Sequence, residues 1–300
     1  MDRPFESSTI DIGLNYSCFK WNLNYSGVSK NSFDFGVNAI HYRNNPGKFK
    51  SVNDSSLVMN PEIGAELSGY ISDIIDFADK LIIEAGFRFT RYLYLGINNA
   101  RYYKAANPRT NENLEEIKYF KRNEVINSYN GFEPRISFTY KIKPSGSIKF
   151  SYSKIHQFMN LISNSSVMAP TDVWKLSDNN LNPLICNQYA IGFYRDFIKK
   201  TIEFSVEVYY KKLENLFEYK DGAKLLLNDK IETALINSEG DNYGAEIYLK
   251  RNSGKLTGWV SYTLSVSANR TTSAFPEDQI LNNRRYFSNF DRPHNLTFNG

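Results

Sequence analysis

The sequence predicts an all-β protein, an antiparallel transmembrane β-barrel of which this chain supplies a part. Three observations predict it. Segments of about ten residues alternate apolar and polar side chains, which puts one residue type on each face of a strand. Short turns and long polar connections follow one another in strict alternation, the layout of a barrel with short turns at one membrane surface and long loops at the other. Aromatic residues make up 15% of the 300, with 21 Tyr and 21 Phe, yet no apolar run approaches the 18 or so residues of a membrane helix. Aromatic girdles at the two interfaces of a barrel account for such a content.

The bulk figures fit. A mean hydropathy of −0.47 and 23% charged residues resemble a water-soluble protein, but in a barrel only alternate strand residues meet lipid. The net charge of +4 is spread along the chain and forms no basic stripe, which argues against nucleic acid as a partner. Met1–Phe5 lacks the apolar region of a signal peptide. Cys18 and Cys186 are too few and too far apart for a disulfide framework and are expected to be unpaired.

In chain order, Ile10, Ile12, Leu14 and Tyr16 alternate, and then Phe19, Trp21, Leu23 and Tyr25. The phase slips near Cys18, where a bulge is expected. A turn at Gly27–Lys30 leads to Phe33, Phe35, Val37 and Ala39. The polar stretch 44–60 follows, with Pro46-Gly47 as punctuation. The second hairpin starts at Ile63 and turns at Asp76–Lys80. On its return Leu81, Ile83, Ala85, Phe87 and Phe89 share one face, and Glu84 and Arg88 lie on the other. Residues 93–130 read as a long, tyrosine-rich connection.

The third hairpin joins Ile136, Phe138 and Tyr140 to Ile148, Phe150 and Tyr152 through Lys143-Pro144-Ser145-Gly146, a good turn sequence. After the connection 156–187 comes the clearest hairpin. Tyr189, Ile191 and Phe193 turn at Arg195–Lys200 into Ile202, Phe204, Val206, Val208 and Tyr210, which alternate with Thr201, Glu203, Ser205, Glu207 and Tyr209. The fifth pairs Tyr243, Ala245, Ile247 and Leu249 with Val260, Tyr262, Leu264 and Val266 around Asn252-Ser253-Gly254. A last strand starts at His294. About eleven strands result, too few to leave no open edge in lipid, so a larger barrel is expected.

Several segments carry a resemblance: Gly131-Phe132-Glu133-Pro134-Arg135, Asp172-Val173-Trp174, Gly244 to Lys250 followed by Gly258 to Ser265, and Phe290-Asp291-Arg292-Pro293-His294-Asn295-Leu296. In this order and spacing they resemble the C-terminal barrel of a TonB-dependent outer-membrane receptor, over 131–300 in motif and over 1–130 in general pattern. The resemblance implies a 22-strand barrel with an N-terminal plug, set in outer-membrane lipid. It also implies uptake of a scarce ligand, such as a metal chelate, oligosaccharide or peptide, with energy supplied by TonB through the plug. The chain is then expected to be the middle-to-late part of that barrel, with plug and final strands lying elsewhere. A soluble glycan-binding β-sandwich and a passive porin are the alternatives.

No pattern for a nucleophile, phosphate loop or dinucleotide site follows a strand and opens a helix. His41, His156 and His294 form no metal-ligand spacing. No enzyme activity, metal or other cofactor is expected. Glu84, Arg88, Lys149, Glu203, Glu207 and Glu246 occupy polar strand faces and are candidates for the lumen, either meeting a plug and ligand path or simply solvating a wet interior. Asp172 and Trp174 are candidates for ligand contact, or for pinning their loop to the rim. Ligand identity would be set by loops 93–130, 157–187 and 219–240.

Overall fold

The computed structural model describes residues 8–28, 30–51, 56–77, 80–96, 99–142, 145–163, 172–197, 201–223 and 227–300. Met1–Phe5 and parts of the turns expected at Gly27–Lys30, Asp76–Lys80, Lys143–Gly146 and Arg195–Lys200 lie outside the described residues. One antiparallel sheet of 13 strands dominates. Eleven of them are those read from the sequence pattern: β1 (Ser8–Val28), β2 (Asn31–Ser51), β3 (Glu62–Phe77), β4 (Leu81–Leu95), β5 (Val125–Ile142), β6 (Gly146–Gln157), β7 (Leu184–Phe197), β8 (Ile202–Tyr219), β9 (Leu235–Arg251), β10 (Gly258–Thr271) and β11 (His294–Asn299). The other two, Ser56–Val58 on β2 and Tyr286–Phe287 on β10, are short additions. Each of the eleven pairs with the next in sequence, and among the described residues β1 and β11 do not meet, so the sheet stays open.

The register sorts side chains as a bilayer demands. Phe193, Val206 and Ile247 are neighbours across β7, β8 and β9, as are Tyr189, Tyr210 and Tyr243. Ile191 is 53% exposed, Val208 49% and Ile247 45%. The same face of β3 to β5 exposes Leu67, Ile71, Phe87, Phe132 and Phe138. Among the described residues no second sheet covers this apolar face; the remaining sheets are two small hairpins, Asn99–Tyr103 with Leu114–Tyr119 and Met159–Ile162 with Val173–Leu176. A soluble sandwich would bury this face against another sheet. The opposite face carries Asn38, Ser68, Thr90 and Glu133, all buried and polar.

The strands outrun the bilayer. β1 and β2 have 21 residues each, about 70 Å at the rise of a strand, where about 9–11 residues suffice to cross. Three expectations are corrected by the observed pairing. β2 runs through Pro46-Gly47, and the register shift there, opposite Asp11–Gly13, absorbs the proline that lacks a backbone donor. The bulge expected at Cys18 is absent: pairing is regular from Gly13↔Asn45 to Tyr25↔Phe33. Leu14 and Tyr16 instead share the inner face with Asn44 and Tyr42, and the apolar alternation changes face between Tyr16 and Phe19 without a break in pairing. The loops 93–130 and 157–187 are not structureless, since each folds a hairpin of its own.

The face assignment predicts unequal costs on adjacent residues. In the barrel refolded into lipid, Val206→Arg should lower unfolding stability by about 2–4 kcal/mol for a site near the bilayer midplane. Glu207→Gln, which keeps an acceptor for the Tyr194 hydroxyl at 2.7 Å, should change it by less than about 0.5 kcal/mol. Equal losses in denaturant titrations would contradict the assignment.

Candidate functional site

The long connections from one end of the strands fold together into a cap. Ile162, Leu181, Ile231 and Leu235 form a buried cluster, with Phe217 and Tyr219 packed against it. Tyr92, fully buried on the inner face of β4, stacks on Phe158 at 4.8 Å with the rings 6° from parallel. Its hydroxyl donates to the Ser177 carbonyl at 3.0 Å. Gly64 of β3 makes room for this contact: a Cβ there would lie 2.8 Å from the Tyr92 hydroxyl and 3.3 Å from Leu176 Cδ1. A missing side chain on the wall thus lets the hairpin of Met159–Ile162 and Val173–Leu176 seat against β2 and β3.

One buried ion cluster fastens that hairpin. Lys175 Nζ donates to Glu62 Oε1 of β3 and to Asp178 Oδ2, the latter at 2.6 Å. Glu62 Oε2 accepts the Leu176 N–H and the Asn44 side-chain amide, both at 3.0 Å. Asp178 Oδ1 accepts the N–H groups of Asn180 and Leu181 at 2.7 and 2.9 Å. Burial by itself would lower the Lys175 pKa, but the Asp178 and Glu62 carboxylates outweigh it and hold the ammonium well above its usual range. Every oxygen of both acids is bonded, the condition under which a buried ion pair is tolerated.

Arg101, on the hairpin that follows β4, is a second hub. Its guanidinium reaches Asp229 Oδ2 at 2.8 Å and Glu232 Oε1 at 3.4 Å, and its carbonyl accepts the side-chain amides of Asn179 and Asn180. The Tyr103 hydroxyl donates to Glu232 Oε1 at 2.8 Å. Burial, then the Glu232 charge, raises the Tyr103 pKa, so the phenol stays a donor. Arg109 ties the same hairpin to the Asn180 carbonyl, and at 3.4 Å to the Leu235 carbonyl. Between the two hubs lies a cavity of about 100 Å³, bordered by Glu62, Tyr94, Arg101, Lys175, Asp178 and Glu232 among others.

Comparison with known proteins agrees with this architecture. The model of the TonB dependent receptor-like β-barrel family matches residues 3–299. The chain belongs to that family. Among solved structures it is similar to the FrpB iron transporter from Neisseria meningitidis (F5-1 variant, apoprotein form), with 11% identity, a TM-score of 0.57, and coverage of 89% of this chain and 38% of that one. It is similar to the alcaligin outer-membrane receptor FauA from Bordetella pertussis, with 12% identity, TM-score 0.52, and 92% and 42% coverage. It is also similar to the ferripyoverdine receptor of Pseudomonas aeruginosa bound to ferripyoverdine, with 14% identity, TM-score 0.58, and 98% and 36% coverage. At such identities the likeness is one of fold, and the chain spans between 36% and 42% of the length of these receptors. No curated protein matches it.

A TonB-dependent receptor barrel lies in the outer membrane, and its family is one of receptors and transporters rather than enzymes. On this barrel the register puts Glu84 opposite Ser137, Arg88 opposite Glu133, Lys149 opposite Gly192, Glu203 opposite Lys250 and Glu207 opposite Glu246. All six sequence candidates therefore sit on the polar face of the sheet, but on strands too far apart to form one cluster. Asp172 is 9% exposed and bears electrostatically on Tyr219. Trp174 is half-buried, pairs with Leu161, and its carbonyl accepts the Asn44 side-chain amide. Met168, Pro170 and the triplet Asn164-Ser165-Ser166 lie outside the described residues. Cys18 and Cys186 are free thiols. His41, His156 and His294 stand on β2, β6 and β11, and among the described residues no group of three or more His, Cys, Asp or Glu is placed to hold a metal ion. Sequence reasoning missed Glu62, Arg101, Lys175 and Glu232. Glu62 and Lys175 are 113 residues apart, and no local spacing links them.

Removing Lys175 should leave Glu62 and Asp178 buried without a counter-charge. Lys175→Met is expected to destabilise the seated hairpin by about 3–5 kcal/mol, read as faster hydrogen exchange and protease cleavage within 158–182 while the strands stay protected. The pH dependence has a definite sign. A lysine whose folded pKa is raised above the ordinary 10.5 contributes its full stability below that value, and loses it only as pH rises through the folded pKa. Protection of 158–182 should be flat from neutrality to about pH 10 and fall above it. A fall beginning near pH 8 would contradict the ion cluster.

Proposed function

We propose that the protein is the barrel portion of a receptor that takes up a scarce ligand, such as a metal chelate, oligosaccharide or peptide, across the outer membrane with energy from TonB. The observation that carries this reading is the union, among the described residues, of an uncovered apolar face with a cap fastened over one end. The uncovered face suits lipid, the opposite polar face suits a bore, and a packed cap at one end suits a selective entrance rather than an open hole. Family membership supports it, as do the iron transporter and the alcaligin and ferripyoverdine receptors named above.

In this reading the polar face lines the lumen, where Glu84, Arg88, Lys149, Glu203, Glu207 and Glu246 present mixed charge to water, to the ligand or to a plug domain. A plug is where TonB would act. Asp172 and Trp174 stand on the hairpin that bears Lys175, so ligand entering beside that hairpin would pass them. The mixture of signs along the wall argues against a strongly ion-selective pore.

The decisive contrast is with passive diffusion. Cells relying on this protein for a metal chelate, oligosaccharide or peptide should lose uptake when the gene is deleted. They should lose it equally when tonB is deleted or the proton gradient is collapsed. Uptake that persists without TonB would assign the protein to the porins instead.

A further inference from the structure

The lipid-facing side of the sheet changes character toward its cap end, and it does so differently in two sectors. On β2 to β5 the exposed apolar band reaches Val37, Leu67, Phe89 and Phe132. Within three positions of that band, on the same face, stand Arg91 on β4 and His41 and Arg43 on β2, all three exposed. His41 has Ser17 and Ala65 as its register neighbours, Arg43 has Asn15 and Ile63, and Arg91 has Leu67 and Asn130. None of these neighbours carries a charge. The Arg91 guanidinium spends one hydrogen bond sideways, to Asn130 Oδ1 at 2.8 Å. On β8 to β10 the same level is balanced. Just beyond the row of Tyr210 and Tyr243, Lys212 stands opposite Asp241. Asp241 Oδ2 holds Arg285 at 2.6 Å, and Glu239 Oε2 holds Arg270 at 2.7 Å. Of the two sectors, positive charge goes without a facing carboxylate on β2 to β4.

We propose that this sector docks the phosphorylated headgroup of a lipid in the outer leaflet. The cap end carries the long connections and so faces the outside. Arg91 directly follows the apolar face of Leu81–Phe89, a length of strand that spans the hydrocarbon core. The cations therefore lie in the headgroup layer, where acyl chains give way to phosphate. Neighbouring strands are about 4.8 Å apart, so β2 and β4 hold their cations about 10 Å from each other on either side of β3. Between them Ala65 presents only a methyl group, which leaves the space open to a headgroup. A guanidinium donates two parallel hydrogen bonds to a phosphate, and the His41 ring and the Asn130 amide supply further donors. The acyl chains of the same molecule would lie along the band of Val37, Leu67 and Phe89 below, so one lipid satisfies both the charge and the apolar surface. A water-soluble partner would cover the charges alone.

The test titrates the full-length receptor, purified in dodecyl maltoside and stripped of lipid, and counts bound lipid by native mass spectrometry. The probes are bis-phosphorylated lipid A, the same lipid A with its phosphates removed, and phosphatidylglycerol. Bis-phosphorylated lipid A should bind most tightly. Removing its phosphates should weaken it about ten-fold or more, as should the double variant Arg43→Gln with Arg91→Gln, for loss of charge-assisted hydrogen bonds. Arg270→Gln, in the balanced sector, should change it by less than about two-fold. The comparison between lipids is made on the unaltered protein, so it stands even where a variant folds poorly. Equal affinity for the dephosphorylated lipid, equally tight binding of phosphatidylglycerol, wild-type affinity in the double variant, or the same loss in Arg270→Gln would overturn the proposal. Binding is read without TonB, so the outcome leaves the uptake reading to its own experiment.

Discussion

Water is absent from the hydrocarbon core, and this one fact organises the molecule. A backbone amide or carbonyl in that layer has no partner except another strand. The chain answers with a sheet in which each long strand pairs antiparallel with the next in sequence, from β1 to β11. Pairing the backbone then frees the side chains to be sorted by face alone. Ile191, Val208 and Ile247 stand exposed because lipid is the solvent on that side. The same residues on the outside of a water-soluble protein would make an apolar patch far larger than such proteins tolerate.

Beyond the bilayer the rules reverse, and the strands do not stop. There the inner face must pack on something, and the cap supplies it. The cap has the features of a small domain: an apolar cluster around Leu181 and Leu235, a stacked aromatic pair, and charged groups joined across distant segments. Its seat on the wall depends on the absence of a side chain at Gly64 and on the carboxylate of Glu62 two residues earlier. Wall and cap are therefore packed together, joined by the Glu62–Lys175 ion pair and the Tyr92–Phe158 stack.

Two ion clusters give the cap its chemical character. Around Lys175 every lone pair is used, which suits a fastening. Around Arg101 the guanidinium holds Asp229 and Glu232 while its carbonyl holds Asn179 and Asn180, which ties three connections together.

The barrel was legible in the sequence because its cause is local. Period-two alternation in a run such as Ile202–Tyr210 is imposed by the pleat and the lipid together, and each strand carries the signal by itself. Three of the misreadings share one origin. The phase change near Cys18 looked like a bulge, Pro46-Gly47 looked like the end of a strand, and 93–130 and 157–187 looked like bare loops. At Pro46-Gly47 and in the two connections the chain had left the bilayer and was answering to the cap instead, whereas near Cys18 only the face of the apolar residues changes. The cap itself was not legible, because Glu62 and Lys175, or Arg101 and Glu232, come from connections more than a hundred residues apart. Only the folded sheet, by bringing the strand ends of β2 to β4 and β8 to β9 to one rim, decided which charges would meet. The sequence by itself determined which faces turn to lipid, since that follows from neighbouring residues. The tertiary structure decided where charge is buried, since that follows from contacts no stretch of chain contains.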